Sequence, residues 1–329
     1  MEVFRWILSG KMGEKRIEFF MTESIVIGTK KLCKNYGNLK AVDNLTLEVH
    51  RGEIYGFLGL NGAGKTTTIR MLLTMVRPSS GVFYLNGKKV FSGNNDLWNT
   101  IGSLVEIPYS YPDLTVRENL ELFRRLRFLP DRKIVDDIIE KLQLGPYHNV
   151  KVKNLSLGNV QRLGLAKALI HKPDILLLDE PANGLDPAGI VEIREMLHDL
   201  ALNNGTTIFI SSHILGEISK LATRIGIIHE GKLLHESYAH EIDTLRKRCL
   251  QIKVTDPYGL KHVMELKGYK PVLSDTGLIE ILDKEAISNP ENIAILLVQS
   301  GFPPSYLKVE EEDLETFFMR VIKSKGGTK

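Results

Sequence analysis

The chain has 329 residues, of which 43% are hydrophobic and 25% charged. These are globular proportions, and the length predicts about two domains. Its formal net charge of +3 is too small to predict general binding to nucleic acid or to acidic membranes. Cys33 and Cys249 are the two cysteines and have no CxxC or Cys/His companion, which argues against a disulfide scaffold or a zinc module. No uncharged apolar stretch approaches the ~18 residues of a membrane-spanning helix, so we expect a soluble chain, and any membrane role must come through a partner.

The first part of the chain divides into a short extension and an α/β region. Residues 1–20 carry mixed charge, and Met21 follows them, so we interpret 1–20 as an extension that is disordered or begins at an upstream start codon. From Ser24 to about His235, predicted strands and helices alternate, and Asn86-Gly87 is predicted to be the tight turn of a hairpin. The continuous apolar run Ile175–Leu178 is typical of a strand buried in a parallel sheet, whereas about 113–170 has helical periodicity. We therefore predict an α/β domain over 21–240 that contains a helical subdomain.

The composition resets after Glu241–Arg248, a helix-like piece, and a smaller unit begins. Its predicted order is β-α-β-β-α-β followed by a helix, with a hairpin turn at Thr276-Gly277 and a helix that starts at Asn289-Pro290. That order predicts a small α/β domain of ferredoxin-like topology over 247–329.

The most specific motif is GLNGAGKT, which follows a predicted strand over Glu53–Leu58 and precedes a predicted helix over Thr67–Met75. It fits the phosphate-loop pattern G-x-x-x-x-G-K-[ST], in which glycines let the backbone N–H groups curl around phosphates. Lys65 would neutralise the terminal phosphates, and Thr66 would offer an oxygen to Mg²⁺. The predicted nucleotide-binding residues here are Gly59, Leu60, Asn61, Gly62, Ala63, Gly64, Lys65, Thr66 and Thr67.

Two acidic residues follow the apolar strand 175–178. Asp179 at such a strand end can hold Mg²⁺ directly or through water, as the second half of a phosphate-loop site. Glu180 beside it could polarise the attacking water as a general base. At this spacing from Lys65 the pair strongly indicates a phosphate-loop nucleotide site with Mg²⁺, although a solvated acidic strand end would explain the pair taken alone.

Further motifs resemble those of the ATP-binding-cassette (ABC) proteins over roughly residues 24–236. The segment LSLGNVQR (155–162) looks like the family signature, NGLD (183–186) like its D-loop, and SSH (211–213) like its switch histidine. Tyr36 matches the aromatic residue that stacks on adenine. The resemblance implies a head-to-tail dimer in which Ser156 and Gly158 of one subunit serve the partner's γ-phosphate. It also implies that His213 contacts the γ-phosphate of its own subunit's ATP and that Asp186 couples the two sites.

The sequence departs from the family pattern at several positions. Leu60 replaces the commoner proline of the phosphate loop, and the signature reads LSLGN instead of LSGGQ because of Leu157 and Asn159. Glu106 stands where the family usually has the glutamine of the Q-loop. A carboxylate can ligate Mg²⁺ and hold water there, but it cannot donate a hydrogen bond while ionised. This glutamate, with LVEIPYSYPDLTVRENL around it, is similar to the branch of exporters that gives self-protection against bacitracin and lantibiotics.

The resemblance implies an ATPase that binds an integral membrane permease from the cytoplasmic side, together with a second copy of itself or a homologous ATPase subunit. Tyr109 and Tyr111 lie where the family receives the permease, although local packing explains them equally well. The alternatives are an importer ATPase and an ABC ATPase that acts on ribosomes or DNA. We expect no nucleic-acid partner. ABC proteins that act in translation normally carry two cassettes in one chain, and this chain has one set of motifs. Those that act on chromosomes carry a long coiled coil, and this sequence has no sustained heptads. A GTPase would need an NKxD string, which the sequence lacks.

Overall fold

The computed structural model describes residues 25–91, 95–106, 109–274 and 277–325, so the predicted extension 1–20 lies outside the described residues. The chain divides into two compact units. One comprises 1–239 with 321–329, and the other comprises 240–320. The second unit thus begins before the predicted 247, and the end of the last helix groups with the first unit.

The first unit contains ten described strands and six α-helices. The strands are β1 (Ile25–Tyr36), β2 (Leu39–His50), β3 (Ile54–Leu58), β4 (Ser80–Leu85), β5 (Lys88–Lys89), β6 (Ile101–Leu104), β7 (Ile175–Asp179), β8 (Thr207–Ser212), β9 (Arg224–His229) and β10 (Lys232–Tyr238). The helices are α1 (Lys65–Leu72), α2 (Val116–Leu126), α3 (Lys133–Lys141), α4 (Leu157–Leu169), α5 (Pro187–Asn204) and α6 (Leu215–Ile218).

A six-stranded sheet of order β10-β9-β3-β8-β7-β6 forms the centre of this unit. Its neighbouring strands are parallel, except that β10 runs antiparallel to β9. Every residue of β3, β7 and β8 is buried, as expected for continuous apolar strands in a covered parallel sheet. Parallel strands align their carboxyl ends, which brings the loop after β3, the acids at the end of β7 and the residues after β8 to one edge.

A second, antiparallel sheet has the order β2-β1-β4-β5. The predicted Asn86-Gly87 turn joins β4 to β5, and both residues have positive φ (49° and 72°), as a two-residue hairpin turn requires. The buried side chains of this antiparallel sheet share one apolar core with those of β3, β7 and β8 in the central sheet. Strand β2 packs onto the central sheet through one face, because its buried Leu45, Leu47 and Val49 alternate with residues that are exposed.

The predicted helical subdomain is present as α2, α3 and α4. Thr115 caps α2 in a reciprocal capping box with Glu118. Helix α1 begins at Lys65, earlier than the predicted Thr67, because Gly64 is its cap, and it ends at Leu72 before Thr74 turns left-handed (φ 55°).

The second unit is built from four strands and its own helices. They are α7 (Ile242–Leu245), β11 (Arg248–Lys253), α8 (Pro257–Leu266), β12 (Val272–Leu273), β13 (Ile279–Ile281), α9 (Lys284–Ser288), α10 (Pro290–Gln299), β14 (Tyr306–Glu311) and α11 (Leu314–Lys325).

The strands of this unit form an antiparallel sheet of order β12-β13-β11-β14, as the β-α-β-β-α-β prediction requires. Thr276 of the predicted hairpin turn lies outside the described residues. Helix α9 was not predicted. Helix α7 ends at Leu245, so the prediction of helix up to Arg248 was wrong: Arg248 begins β11 opposite Glu311.

Candidate nucleotide site

The loop from Gly59 to Gly64 joins β3 to α1 and has the curled backbone of a phosphate loop. Gly62 and Gly64 have φ of 79° and 107°, values that side chains other than glycine rarely adopt. A Cβ on Gly64 would also lie 2.4 Å from the carbonyl oxygen of Ala41. The positive φ values are a local requirement and the close approach of Ala41 is a tertiary one, and both explain why glycine stands before the helix N-terminus that offers its N–H groups to an anion.

The Lys65 ammonium lies inside this loop, with only 6% of the residue exposed. It donates to the carbonyl oxygens of Gly59 (2.7 Å) and Leu60 (3.3 Å) and lies 3.3 Å from Oε1 of Glu180. The cation is therefore fixed at the loop by acceptors from two sides. A phosphate entering the loop would compete with Glu180 for the same ammonium.

Thr66 and Asp179 meet at the carboxyl edge of the sheet. The Thr66 hydroxyl donates to Oδ2 of Asp179 (2.7 Å), and the buried Ser211 hydroxyl donates to the other carboxylate oxygen. A hydroxyl and a carboxylate are hard oxygen ligands that suit Mg²⁺, which usually takes one or two protein ligands and completes its shell with water and phosphate oxygens. The pair therefore fits Mg²⁺. No cluster of three or more His, Cys, Asp or Glu able to hold a metal occurs within the described residues.

Glu180 and His213 lie side by side where strands β7 and β8 end. Oε2 of Glu180 lies 2.9 Å from Nδ1 of His213, and the two side chains are 18% and 39% exposed. The Glu180 backbone is left-handed (φ 50°), and its N–H donates to both the carbonyl and the hydroxyl oxygen of Ser211 (3.2 Å each). A partly exposed carboxylate held beside an imidazole can accept a proton from water, which is the role predicted for Glu180.

A cavity of about 740 Å³ opens over the phosphate loop. Tyr36 lines this cavity and is 47% exposed, and the Lys34 ammonium lies 4.9 Å from the centroid of its ring. An adenine base would therefore stack on the other face of the ring. The lining residues are Tyr36, Asn38, Leu39, Lys40, Ala41, Asp43, Asn61, Gly62, Ala63, Gly64, Lys65, Thr66, Thr67, Glu180, Glu230 and Lys232. The sequence prediction missed four of the six charged residues among these. Lys40 and Asp43 come from β2, and Glu230 and Lys232 come from the β9–β10 hairpin, so all four reach the phosphate loop only through tertiary contacts.

The residues predicted to serve a partner's nucleotide lie in a different hollow of about 550 Å³. It brings together Ser156, Gly158 and Asp186, and none of the described residues that line it also lines the nucleotide cavity. Ser156 and Asp186 also cap their helices, since each side chain accepts a backbone N–H of α4 or α5.

Glu106 is not among the residues that line the nucleotide cavity. Its carboxylate forms an ion pair with Arg70 of α1 at 2.6 Å, its side chain is 55% exposed, and its backbone is left-handed (φ 55°). The predicted Mg²⁺-binding and catalytic role of Glu106 stays a prediction, and it requires release from Arg70. The sequence analysis did not anticipate Arg70, which lies one and a half turns after Lys65 on the same helix.

This loop, with its buried lysine, its threonine–aspartate pair and the adjoining glutamate, defines a phosphate-loop ATPase cassette. The sequence profile of the family described as "ABC transporter" matches residues 42–183. The bacitracin transport ATP-binding protein BcrA of Bacillus licheniformis is 40% identical over 309 residues, which is 93% of this chain and 99% of that protein. The chain therefore belongs to the ABC transporter ATP-binding proteins, as its motifs predict, and the expected ATPase activity is that of the family.

Other relatives and solved structures agree with this assignment. The lantibiotic transport ATP-binding protein SrtF of Streptococcus pyogenes is 39% identical over 63% of this chain and 88% of its own length. Among solved structures, a dimeric ATP-binding cassette in a post-hydrolysis state with ADP and Pi is 25% identical, with a TM-score of 0.61 over 65% of this chain and 98% of that chain. The predicted α/β phosphate-loop fold is confirmed. Among the described residues, no helix has the length and apolarity to cross a membrane.

Proposed function

We propose that this chain is the ATP-hydrolysing subunit of an exporter that removes peptide antibiotics of the bacitracin or lantibiotic type, and that it gives resistance or immunity. The observation that carries the proposal is that Lys65, Asp179 and Glu180, the residues predicted to bind and hydrolyse ATP, lie close together at the carboxyl edge of the central sheet. The transported class is taken from the relatives, two of which are named for bacitracin and lantibiotic transport.

In the proposed cycle two chains, this one and a second copy or a homologous subunit, close head to tail on ATP. Lys65 and the loop N–H groups bind the phosphates, and Thr66 and Asp179 would hold Mg²⁺, which neutralises phosphate charge when bound. Glu180 accepts a proton from the attacking water, while His213 orients the Glu180 carboxylate through their 2.9 Å contact. The separate hollow of Ser156 and Asp186 supports the head-to-tail arrangement, because its chain's own nucleotide cavity contains neither residue.

A separate permease would set the substrate and hold this chain at the inner face of the membrane. Tyr109 and Tyr111, 77% and 45% exposed with ring centroids 5.8 Å apart, are the aromatic surface that we propose for permease contact. Closing and reopening of the ATPase pair would shift the permease between two states, which needs only that ATP binds one state better than the other.

An affinity pull-down from detergent-solubilised native membranes tests this proposal, with this chain tagged and Lys65→Ala as the nucleotide-binding control. Recovery of a polytopic membrane protein whose loss makes cells sensitive to bacitracin or a lantibiotic would support it. Recovery of ribosomes or chromosomal proteins alone would contradict it in favour of a non-transport ABC ATPase. Recovery of a permease together with an extracellular binding protein would favour an importer.

A further inference from the structure

The segment of residues 109–111, called here the tyrosine segment, follows Glu106 closely and is held by its backbone. Both tyrosine rings are exposed and meet edge to face, at an interplanar angle of 71°. Exposed rings of this kind are usually carried by a mobile loop. Here the main chain beneath them is bonded to two helices of the helical subdomain.

Lys167 of α4 makes the first of these attachments. Its side chain is buried (6% exposed), its ammonium donates to the carbonyl oxygen of Tyr109 (2.8 Å) and to the Ser110 hydroxyl, and it lies 4.9 Å from the centroid of the Phe123 ring. Burial lowers the pKa of Lys167 to about 8. A buried ammonium is costly unless it is hydrogen-bonded, so these contacts to the tyrosine segment account for its position.

Asn119 of α2 makes the second attachment. It is fully buried, its side-chain oxygen accepts the Tyr111 N–H (2.9 Å), and its amide donates back to the Tyr111 carbonyl oxygen (3.1 Å). On the other side of the segment, the contact that the described residues show for the Glu106 side chain is the exposed ion pair with Arg70, and exposed ion pairs are weak. The tyrosine segment is therefore attached firmly to the helical subdomain and loosely to helix α1 of the nucleotide site.

We propose that Lys167 is a positioning residue that fastens the tyrosine segment to the signature helix α4, so that the two move as one body. Ser156 caps the same helix eleven residues earlier, which is about 16 Å along a rigid helix. This connection lies within the first unit. It joins the exposed rings of Tyr109 and Tyr111 to Ser156, the residue predicted to serve the partner's ATP. Its role in transport rests on the proposed function: force from a permease on Tyr109 and Tyr111 would reach Ser156 through Lys167.

Limited chymotrypsin digestion of the isolated chain tests the attachment. Tyr111 precedes Pro112, a bond that chymotrypsin does not cut, so the cleavage followed is the one after Tyr109. The Tyr109 ring is already exposed, so this cleavage is limited by opening of the backbone, and its rate reports that opening. Cleavage after Phe128, which is 92% exposed, serves as an internal reference in the same digest. In Lys167→Met, which keeps the stem beside Phe123 but removes the donors, we expect cleavage of the tyrosine segment to rise about tenfold or more relative to Phe128.

Two further variants separate a specific link from general loosening. Lys167→Arg keeps donors and charge and should restore most of the protection, whereas Lys141→Met, which removes an exposed lysine of α3, should leave it unchanged. ATP affinity should match that of the wild type in all three variants. Unchanged cleavage in Lys167→Met would overturn the attachment, as would equal loss of protection in Lys141→Met.

The coupling role has its own readout. In the complex recovered from native membranes, the ratio of its ATPase rate to that of the isolated chain should fall towards one in Lys167→Met and recover in Lys167→Arg. A wild-type ratio in Lys167→Met, alongside faster cleavage, would overturn the coupling role. Failure of the wild-type chain to recover any membrane protein would instead contradict the proposed function, and the digestion result would still decide whether Lys167 fastens the segment.

Discussion

Replacing Glu180 with glutamine separates ATP binding from hydrolysis in this site. The two side chains have nearly the same shape, and both tolerate the left-handed backbone at this position about equally, so the substitution mainly removes charge. That charge now contacts two groups, the Lys65 ammonium at 3.3 Å and the His213 imidazole at 2.9 Å. The neutral amide can no longer accept a proton from water.

The structure gives the direction and scale of both effects. Loss of a general base typically lowers the rate about 10²- to 10⁴-fold. Two unit charges 3.3 Å apart attract by about 5 kcal/mol at an effective dielectric constant of about 20, before the cost of desolvation is subtracted. The phosphates of ATP must replace the Glu180 carboxylate as the partner of the Lys65 ammonium. Removing the negative charge of Glu180 should therefore leave ATP affinity equal to or higher than that of the wild type.

Phosphate release under saturating MgATP and equilibrium binding of ATP measure the two quantities on one preparation. Glu195→Gln on the exposed face of α5 is the matched control, because it makes the same chemical change away from the cavity. We expect hydrolysis to be nearly lost only in Glu180→Gln, with a dimer that persists on ATP. Turnover within about twofold of the wild type would refute the base role, and weaker ATP affinity would refute the competition for Lys65.

Three further predictions concern stability. Ser211→Ala removes a fully buried hydroxyl that bonds Asp179 and the Glu180 N–H, so urea unfolding should show a loss of about 1–3 kcal/mol together with slower turnover. Gly59→Ala places a Cβ 2.6 Å from the Ile228 carbonyl oxygen and should cost about 1–3 kcal/mol, whereas Gly145→Ala, which meets nothing within 4 Å, should cost almost nothing in the same assay. Burial lowers the pKa of His171 to about 4, so the unfolded chain binds the proton first and stability should fall as the pH drops from about 6.5 to 4. The difference between urea midpoints at pH 7.5 and pH 5 should shrink in His171→Gln, and an unchanged difference would contradict this account.

The sequence by itself determined the elements whose requirements are local. The phosphate loop was predictable because its curl depends on the glycines at 62 and 64 and on the helix that starts beside them. The buried strand Ile175–Asp179 and the Asn86-Gly87 hairpin were predictable for the same reason, since continuous apolar residues and a pair of positive φ values each favour one local structure.

Tertiary structure alone decided which distant side chains meet. Ser211 joins Asp179 across 32 residues because β7 and β8 are parallel neighbours, and Arg70 reaches Glu106 across 36 residues from a different element. Lys167 was part of an ordinary helical pattern until the fold buried its ammonium against the backbone of Tyr109. Such contacts depend on strand order and helix packing, which no short stretch of the sequence specifies. A turn or the start of a helix depends instead on residues that are neighbours in the chain.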